Sequence, residues 1–169
     1  RDVLDKYRYL PKQDRAFITR LSQGTIERMI ELDAIINQFS KTKVKKMKPV
    51  IAAILRSGVY QLKYMDSVPD SAACNEAVKL TVKRGFGGLK GFVNGVMRTI
   101  ARNMDQIRYP DAEKEPVRYL SVKYSIPEWL VQRFTEQYGA EACERSLAAY
   151  LMPNPTSVQV DTDRSSVEE

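Results

Sequence analysis

Between Arg84 and Arg102 the sequence RGFGGLKGFVNGVMRTIAR spaces Lys90, Asn94, Arg98 and Arg102 at intervals of four. An α-helix advances about 100° per residue, so this spacing lines them along one side, while Leu89, Phe92, Val93, Val96 and Ile100 fall on the other. Ammonium and guanidinium groups aligned in this way hold anions. From Ala77 to Met104 there is no Asp or Glu, yet Lys79, Lys83, Arg84, Lys90, Arg98 and Arg102 all lie inside. The segment therefore has no acidic partners of its own, and phosphate contact is favoured over a solvated face for Lys90, Arg98 and Arg102. A second cationic stretch, SKTKVKKMK from Ser40 to Lys48, carries Lys41, Lys43, Lys45, Lys46 and Lys48. Two readings of it stand side by side: a solvated linker and a phosphate-contacting loop. Gly85, Gly87, Gly88 and Gly91 before a helix also suggest a phosphate cradle. No strand precedes them, so a tight turn between helices is the better reading.

Other chemistry is constrained by what the composition lacks. There is no histidine, which excludes a His-based triad, a His general base and imidazole metal ligands. Cys74 and Cys143 lie far apart without metal-ligand spacing and read as small buried hydrophobes in a reduced compartment. Glu76 has no second carboxylate at a useful distance and reads as a favourable charge near a helix N-terminus. Asn94 fits either a hydrogen bond to a bound polyanion or a bridge to a neighbouring helix. Tyr60 and Tyr64, one turn apart beside Lys63, are either packing residues or a base-stacking pair; Trp129, Phe134 and Tyr138 read as packing residues that dock their helix.

The elements that position these groups follow from hydrophobic period and breakers. A helix opens at Leu10-Pro11 and runs through Phe17, Ile18, Leu21, Ile26, Met29 and Ile30 towards Phe39, after a remnant of an earlier element in residues 1–10. Pro49 starts a second helix with Ile51, Ile54, Leu55, Gly58, Leu62 and Met65 at helical spacing, the expected central helix, in which Gly58 admits a close neighbour. A third, Ala72 to Lys83, is capped by Asp70 or Ser71 and packs through Ala73, Ala77 and Leu80. It forms an antiparallel hairpin with the helix 89–102. Tyr109-Pro110, the acids Asp111, Glu113 and Glu115, and Pro116 mark a connection. Beyond it come a helical turn over 117–122, a helix opened by Pro127 with Trp129, Leu130, Phe134 and Tyr138 on its apolar face, and a helix from Ala140 to Met152. Thr156 to Thr162 alternates like a stray strand. Residues 1–109 carry 21 Lys/Arg against 10 Asp/Glu, whereas 110–169 carry 6 against 11, so the net charge of +6 hides a basic first part and an acidic second. No apolar run approaches the roughly 18 residues of a membrane span, no signal or transit peptide is evident, and a cytoplasmic origin is expected.

Five stretches carry a resemblance. DRAFITRLSQGTIER (14–28), ILRSGVYQLKYMDSVP (54–69), NEAVKL (75–80), GFVNGVMR (91–98) and YLSVKYSIPEWLVQRFTEQYG (119–139) together resemble the N-terminal region of the Sun/RsmB family of bacterial 16S ribosomal RNA cytosine-5 methyltransferases, whose first domain is similar to the antitermination factor NusB. The last stretch resembles the connector to the methyltransferase part, which NusB itself would not have. The resemblance implies an all-α NusB-like antiparallel bundle over 1–105 with its first helix shortened, a linker over 106–115, a helical connector over 116–153, and the start of an otherwise absent methyltransferase domain over 154–169. There the family resumes with Arg-Val-Asn, where this chain has Gln159, Val160 and Asp161.

The same resemblance implies that full-length members use S-adenosylmethionine and two cysteines, one of them the nucleophile, in a Rossmann-like domain. Cys74 and Cys143 match neither. The expected function is thus recruitment and orientation of 16S rRNA for a catalytic domain of the same protein, with no catalytic, cofactor or metal residues in this chain. Lys41, Lys43, Lys45, Lys46, Lys48, Lys83, Arg84, Lys90, Arg98 and Arg102 are the expected RNA contacts. The alternative is an antitermination-type or protein-interaction module. A homodimer is allowed but has no residue pattern in its favour, and no membrane partner is expected.

Overall fold

A computed structural model describes residues 2–152, and every regular element among them is a helix or a 3-10 turn. The expected strand over 156–162 lies outside them. A short helix α1 (Asp2–Asp5) precedes α2 (Lys12–Glu27) and α3 (Met29–Phe39). The single helix expected up to Phe39 is broken at Arg28, whose backbone leaves the helical region at φ −98°, ψ 14°. The lysine segment after it is more ordered than a loop: Val44–Lys46 forms a 3-10 turn whose Val44 is buried, and the Asn37 side chain accepts the Val44 N–H at 2.8 Å.

Helix α4 (Pro49–Tyr64) begins with proline at a position where the missing N–H is no loss. It is the central helix: α2, α3, α5 (Asp70–Lys83) and α6 (Lys90–Arg102) all pack on it. Leu55 and Val59 are fully buried there together with Leu32 and Ile36 of α3 and Val93, Met97 and Ile100 of α6. Burying each such side chain stabilises the fold by about 1.5–3 kcal/mol relative to exposure. Two glycines let helices close in. A Cβ at Gly58 would lie 2.5 Å from Met97 Cε, and one at Gly24 would lie 2.0 Å from the Tyr60 hydroxyl. The same contact buries Tyr60, which removes it as a base-stacking residue.

Helix α5 starts two residues earlier than its sequence suggests, with Pro69 in the cap position and no side-chain cap. Its buried stripe is Ala73, Cys74, Ala77 and Thr81; Leu80 is 39 % exposed. Thr81 replaces it because its hydroxyl bonds the Ala77 carbonyl at 2.8 Å, which satisfies the only polar atom it buries. The α5–α6 hairpin turns through Gly85, whose φ of +81° is left-handed and suits glycine alone, and through a 3-10 turn at Gly87–Leu89.

After α6, Ile107 packs on the bundle core and the Arg108 N–H bonds the Gln38 side chain at 2.9 Å. Then α7 (Pro116–Tyr124), α8 (Glu128–Tyr138) and α9 (Ala140–Tyr150) enclose a second small core of Leu120, Tyr124, Val131, Cys143 and Leu147. The inward face of α8 is Leu130, Val131 and Phe134, whereas Trp129 and Tyr138 stand exposed. The expected packing role is therefore corrected for Trp129, whose inner place Val131 takes, while Tyr138, though exposed, still packs edge-on against Phe134 with ring centroids 6.0 Å apart. This second unit rests on the bundle through α7 against α3.

Candidate nucleic-acid interface

The cationic side chains singled out by sequence are all exposed, from Lys41, Lys43, Lys45, Lys46 and Lys48 to Lys83, Arg84, Lys90, Arg98 and Arg102. Among the described residues none of them is within ion-pairing distance of a carboxylate. Lys79 is the exception in the acid-free segment: it pairs with Glu76, just outside that segment, at 2.7 Å, which gives Glu76 a neighbour as well as its place in α5.

The hairpin of α5 and α6 brings several of these groups into one groove. Asn75, Lys79, Lys90, Gly91, Asn94 and Arg98 line a depression of about 480 Å³ between the helices, and Arg98 and Arg102 continue into a second, of about 260 Å³, beside Asp70 and Cys74. Asn94 neither bridges helices nor stands free: its side-chain oxygen accepts from Arg98 Nε at 3.0 Å and holds the guanidinium along the helix. No acidic residue occupies the first turn of α6, so the partial positive charge of its N-terminus adds to that of Lys90.

The lysine segment meets this surface from the other side. Lys46 and Lys48 line a cavity shared with Leu89 and Phe92 at the start of α6. Lys43 turns elsewhere, donating to the Asn37 carbonyl at 3.0 Å beside a cleft that also contains Arg108 and Arg118. Lys83 and Arg84 sit at the C-terminal end of α5, next to the glycine turn. The glycines there are not a nucleotide loop, because the turn joins two helices.

Sequence reasoning missed the polar cluster that holds the linker to the bundle. Glu31 is 2 % exposed, on the face of α3 that carries Ile35. Its carboxylate accepts from Lys63 Nζ at 2.6 Å and from the hydroxyls of Tyr64 and Tyr109, while Lys63 also donates to the Tyr109 oxygen. Burial would lower the Lys63 pKa, but the hydrogen bonds it donates to Glu31 and Tyr109 outweigh it and the net shift is upward. Burial and the bond to Glu31 raise Tyr64 far above its usual value, so it stays a neutral donor and is tied down rather than free to stack. Next to this cluster Ser125, at φ 57°, ends α7 and its hydroxyl accepts the N–H groups of Ile30 and Glu31 at 2.9 and 3.3 Å. Arg56 and Asp33 form a two-pronged pair nearby at 2.6 and 2.7 Å. The only signal for Glu31 in the sequence is a carboxylate one turn before a buried isoleucine. For Ser125, whose target is 95 residues away, there is none.

Cys74 and Cys143 are buried free thiols, as expected, and burial pushes the Cys74 thiol up, away from nucleophile character. No helix among the described residues is long and apolar enough to cross a membrane.

In comparisons with known proteins, the NusB family matches residues 1–102. The "probable ribosomal RNA small subunit methyltransferase B" of Bacillus subtilis is 38 % identical over 152 residues, covering 90 % of this chain and 33 % of that protein. Its namesake in Synechocystis is 38 % identical over 148 residues, with 87 % of this chain and 32 % of that protein covered. The transcription antitermination protein NusB of Agathobacter rectalis is 39 % identical over 90 residues, 53 % of this chain and 69 % of that protein. The chain thus spans about a third of the length of the methyltransferase relatives.

Proposed function

Because this chain belongs to the NusB family across its helical bundle, we propose that it is the RNA-recruiting part of a small-subunit ribosomal RNA methyltransferase. In this reading the bundle takes hold of 16S rRNA electrostatically and the α7–α9 unit presents it to a catalytic portion elsewhere in the same protein. The observation that carries the choice is the extent of the likeness. A match over 152 residues must run well beyond residue 102, into the helices of the α7–α9 unit. The antitermination relatives account for about half to two thirds of the chain.

S-adenosylmethionine would be bound by the catalytic portion and would supply the methyl group; the residues of this chain contribute binding and orientation. Lys90, Arg98 and Arg102 along α6, with Lys83, Arg84, Lys46 and Lys48 around its start, form the main phosphate-contacting face. Lys41 and Lys45 extend it at the edge, whereas Lys43 is drawn away to the Asn37 carbonyl. The chain acts in the cytoplasm and performs no methyl transfer by itself.

Contacts to phosphates release counterions, so binding should fall steeply with salt. Titration of a labelled 16S rRNA fragment at several salt concentrations tests this: affinity indifferent to salt would contradict it. The protein-interaction reading draws on the 69 % coverage of an antitermination protein. Capture of a ribosomal protein in the absence of RNA, with no RNA binding of its own, would put that reading first.

A further inference from the structure

Resting on the RNA-binding reading, we propose that the cleft between α3, the linker and α7 takes a phosphate group of the RNA, so that the strand crosses the seam between the bundle and the α7–α9 unit. The cleft measures about 480 Å³ and is lined from several segments. Asp33 and Asn37 belong to α3, Lys43 to the lysine segment, Arg108 to the linker, and Glu115 and Arg118 to the start of α7. Two of its three cations lie beyond residues 1–102, the part that the NusB family matches. The site belongs to the junction and is separate from the α5–α6 face.

Its charges are unbalanced. Asp33 has both carboxylate oxygens occupied by Arg56, at 2.6 and 2.7 Å. Glu115 bonds Arg118 at 2.7 Å, through one of the five N–H groups of the guanidinium. Lys43 and Arg108 have no carboxylate within ion-pairing distance among the described residues. Elsewhere on α3 the fold pairs its cations closely, Lys63 with Glu31 and Arg56 with Asp33. Cations held here for stability alone would be matched in the same way. Instead, like charges from three segments line one cleft, which concentrates positive potential and draws an anion in.

The groups are placed but not consumed. Arg108 is fixed on both sides: its own N–H donates to the Gln38 side chain at 2.9 Å, and the hydroxyl of the next residue, Tyr109, bonds Glu31. Its side chain remains exposed. Lys43 uses one of its three donors on the Asn37 carbonyl at 3.0 Å. The Asn37 side-chain oxygen accepts the Val44 N–H, which leaves its NH2 group as a further donor. Guanidinium forks and amide donors suit phosphate oxygens. RNA supplies phosphates in series, and the lysine segment joins the cleft to the rest of the basic surface, since Lys46 and Lys48 line the cavity at the start of α6 while Lys43 lines the cleft. A strand following that segment touches both units of the molecule.

The test changes Arg108 and Arg118 together to Gln in the full chain and measures fluorescence anisotropy with a labelled single-stranded 16S rRNA fragment at several salt concentrations. Each phosphate contact to single-stranded RNA contributes about 0.7 to the slope of log K against log salt, so the double variant should show a slope shallower by about 1.4. Glu115→Gln removes the carboxylate that competes for Arg118 and should tighten binding about two- to fivefold, the range of an exposed ion pair. RNA should slow hydrogen exchange in both α6 and α7 of the parent, and in α6 alone in the double variant, with melting curves confirming that each variant folds. An unchanged slope in the folded double variant, or protection that never extends to α7, would overturn the site while leaving RNA binding on the α6 face intact. Inorganic phosphate, compared with chloride at equal ionic strength, separates a free anion from the RNA backbone. A rise in melting temperature in phosphate that depends on both arginines, with RNA affinity indifferent to them, would assign the cleft to a free anion and overturn the RNA path. Failure of the parent chain to bind the fragment would overturn the RNA reading itself, and the site with it.

Discussion

The side chains that matter most to this molecule work in pairs whose members lie far apart in sequence. Glu31 is buried against Lys63, Tyr64 and Tyr109, so its removal strands an ammonium and two hydroxyls. Breaking such a buried pair costs about 3–5 kcal/mol. Because the Lys63 side chain keeps 20 % of its exposure and can reach water, Glu31→Ala should sit near the lower end, about 3 kcal/mol, in urea denaturation. Gly24 and Gly58 make a second comparison. A methyl at Gly24 meets the rigid ring of Tyr60, while one at Gly58 meets the movable tip of Met97. Gly24→Ala should therefore cost roughly 1–3 kcal/mol and Gly58→Ala less, as read from the midpoints of thermal melts. A third residue-level test uses pH. The hydrogen bonds from Lys123 and Tyr124 hold the Glu144 carboxyl below its ordinary value. A carboxylate lowered by folding stabilises the protein above its unfolded pKa, and this contribution fades as pH falls through the folded value. Glu144→Gln should accordingly flatten the acid limb of the stability curve of α7–α9. The effect is modest, because both partners of the pair are about 40 % exposed.

At the level of elements, local sequence signals specified most helices and left their junctions unspecified. Pro49 and Pro127 marked helix starts, Gly85 marked the hairpin turn, and the period of Val93, Val96 and Ile100 gave the buried face of α6. The break at Arg28 was not legible, because apolar periodicity runs straight through it. What sustains the break is distant: the N–H groups freed at the start of α3 are taken by Ser125 at the end of α7. The inner stripe of α8 was misread for a related reason, since Trp129 and Val131 are both apolar and only the partner helices decide which turns inward. Ser125→Ala should cost about 1 kcal/mol, the ordinary value of a lost N-cap. Hydrogen exchange should then quicken both in the first turn of α3 and in α7, whereas a change confined to α7 would mean that the serine caps nothing. The candidate site was legible as a list of cations but not as a surface. Spacing placed Lys90, Arg98 and Arg102 on one face; only the fold shows Lys46 and Lys48 meeting the start of α6 while Lys43 turns to the Asn37 carbonyl.

As a whole, the molecule joins a basic bundle to a small three-helix unit that is held against it by the Glu31 cluster, the Ser125 cap and the contact of α7 with α3. RNA held on the α5–α6 face would thus keep a defined orientation to whatever the α7–α9 unit carries, which a flexible tether would not give. The central claim is that the α6 face holds RNA by its phosphates, and the salt dependence of binding tests it most directly. Neutralising Lys90, Arg98 and Arg102 together to Gln should remove three phosphate contacts. For single-stranded RNA each contact contributes about 0.7 to the slope of log K against log salt, so the slope should become shallower by about 2, with affinity lowered for every RNA sequence alike. An unchanged slope, with the variant folded and binding as the parent does, would contradict the account.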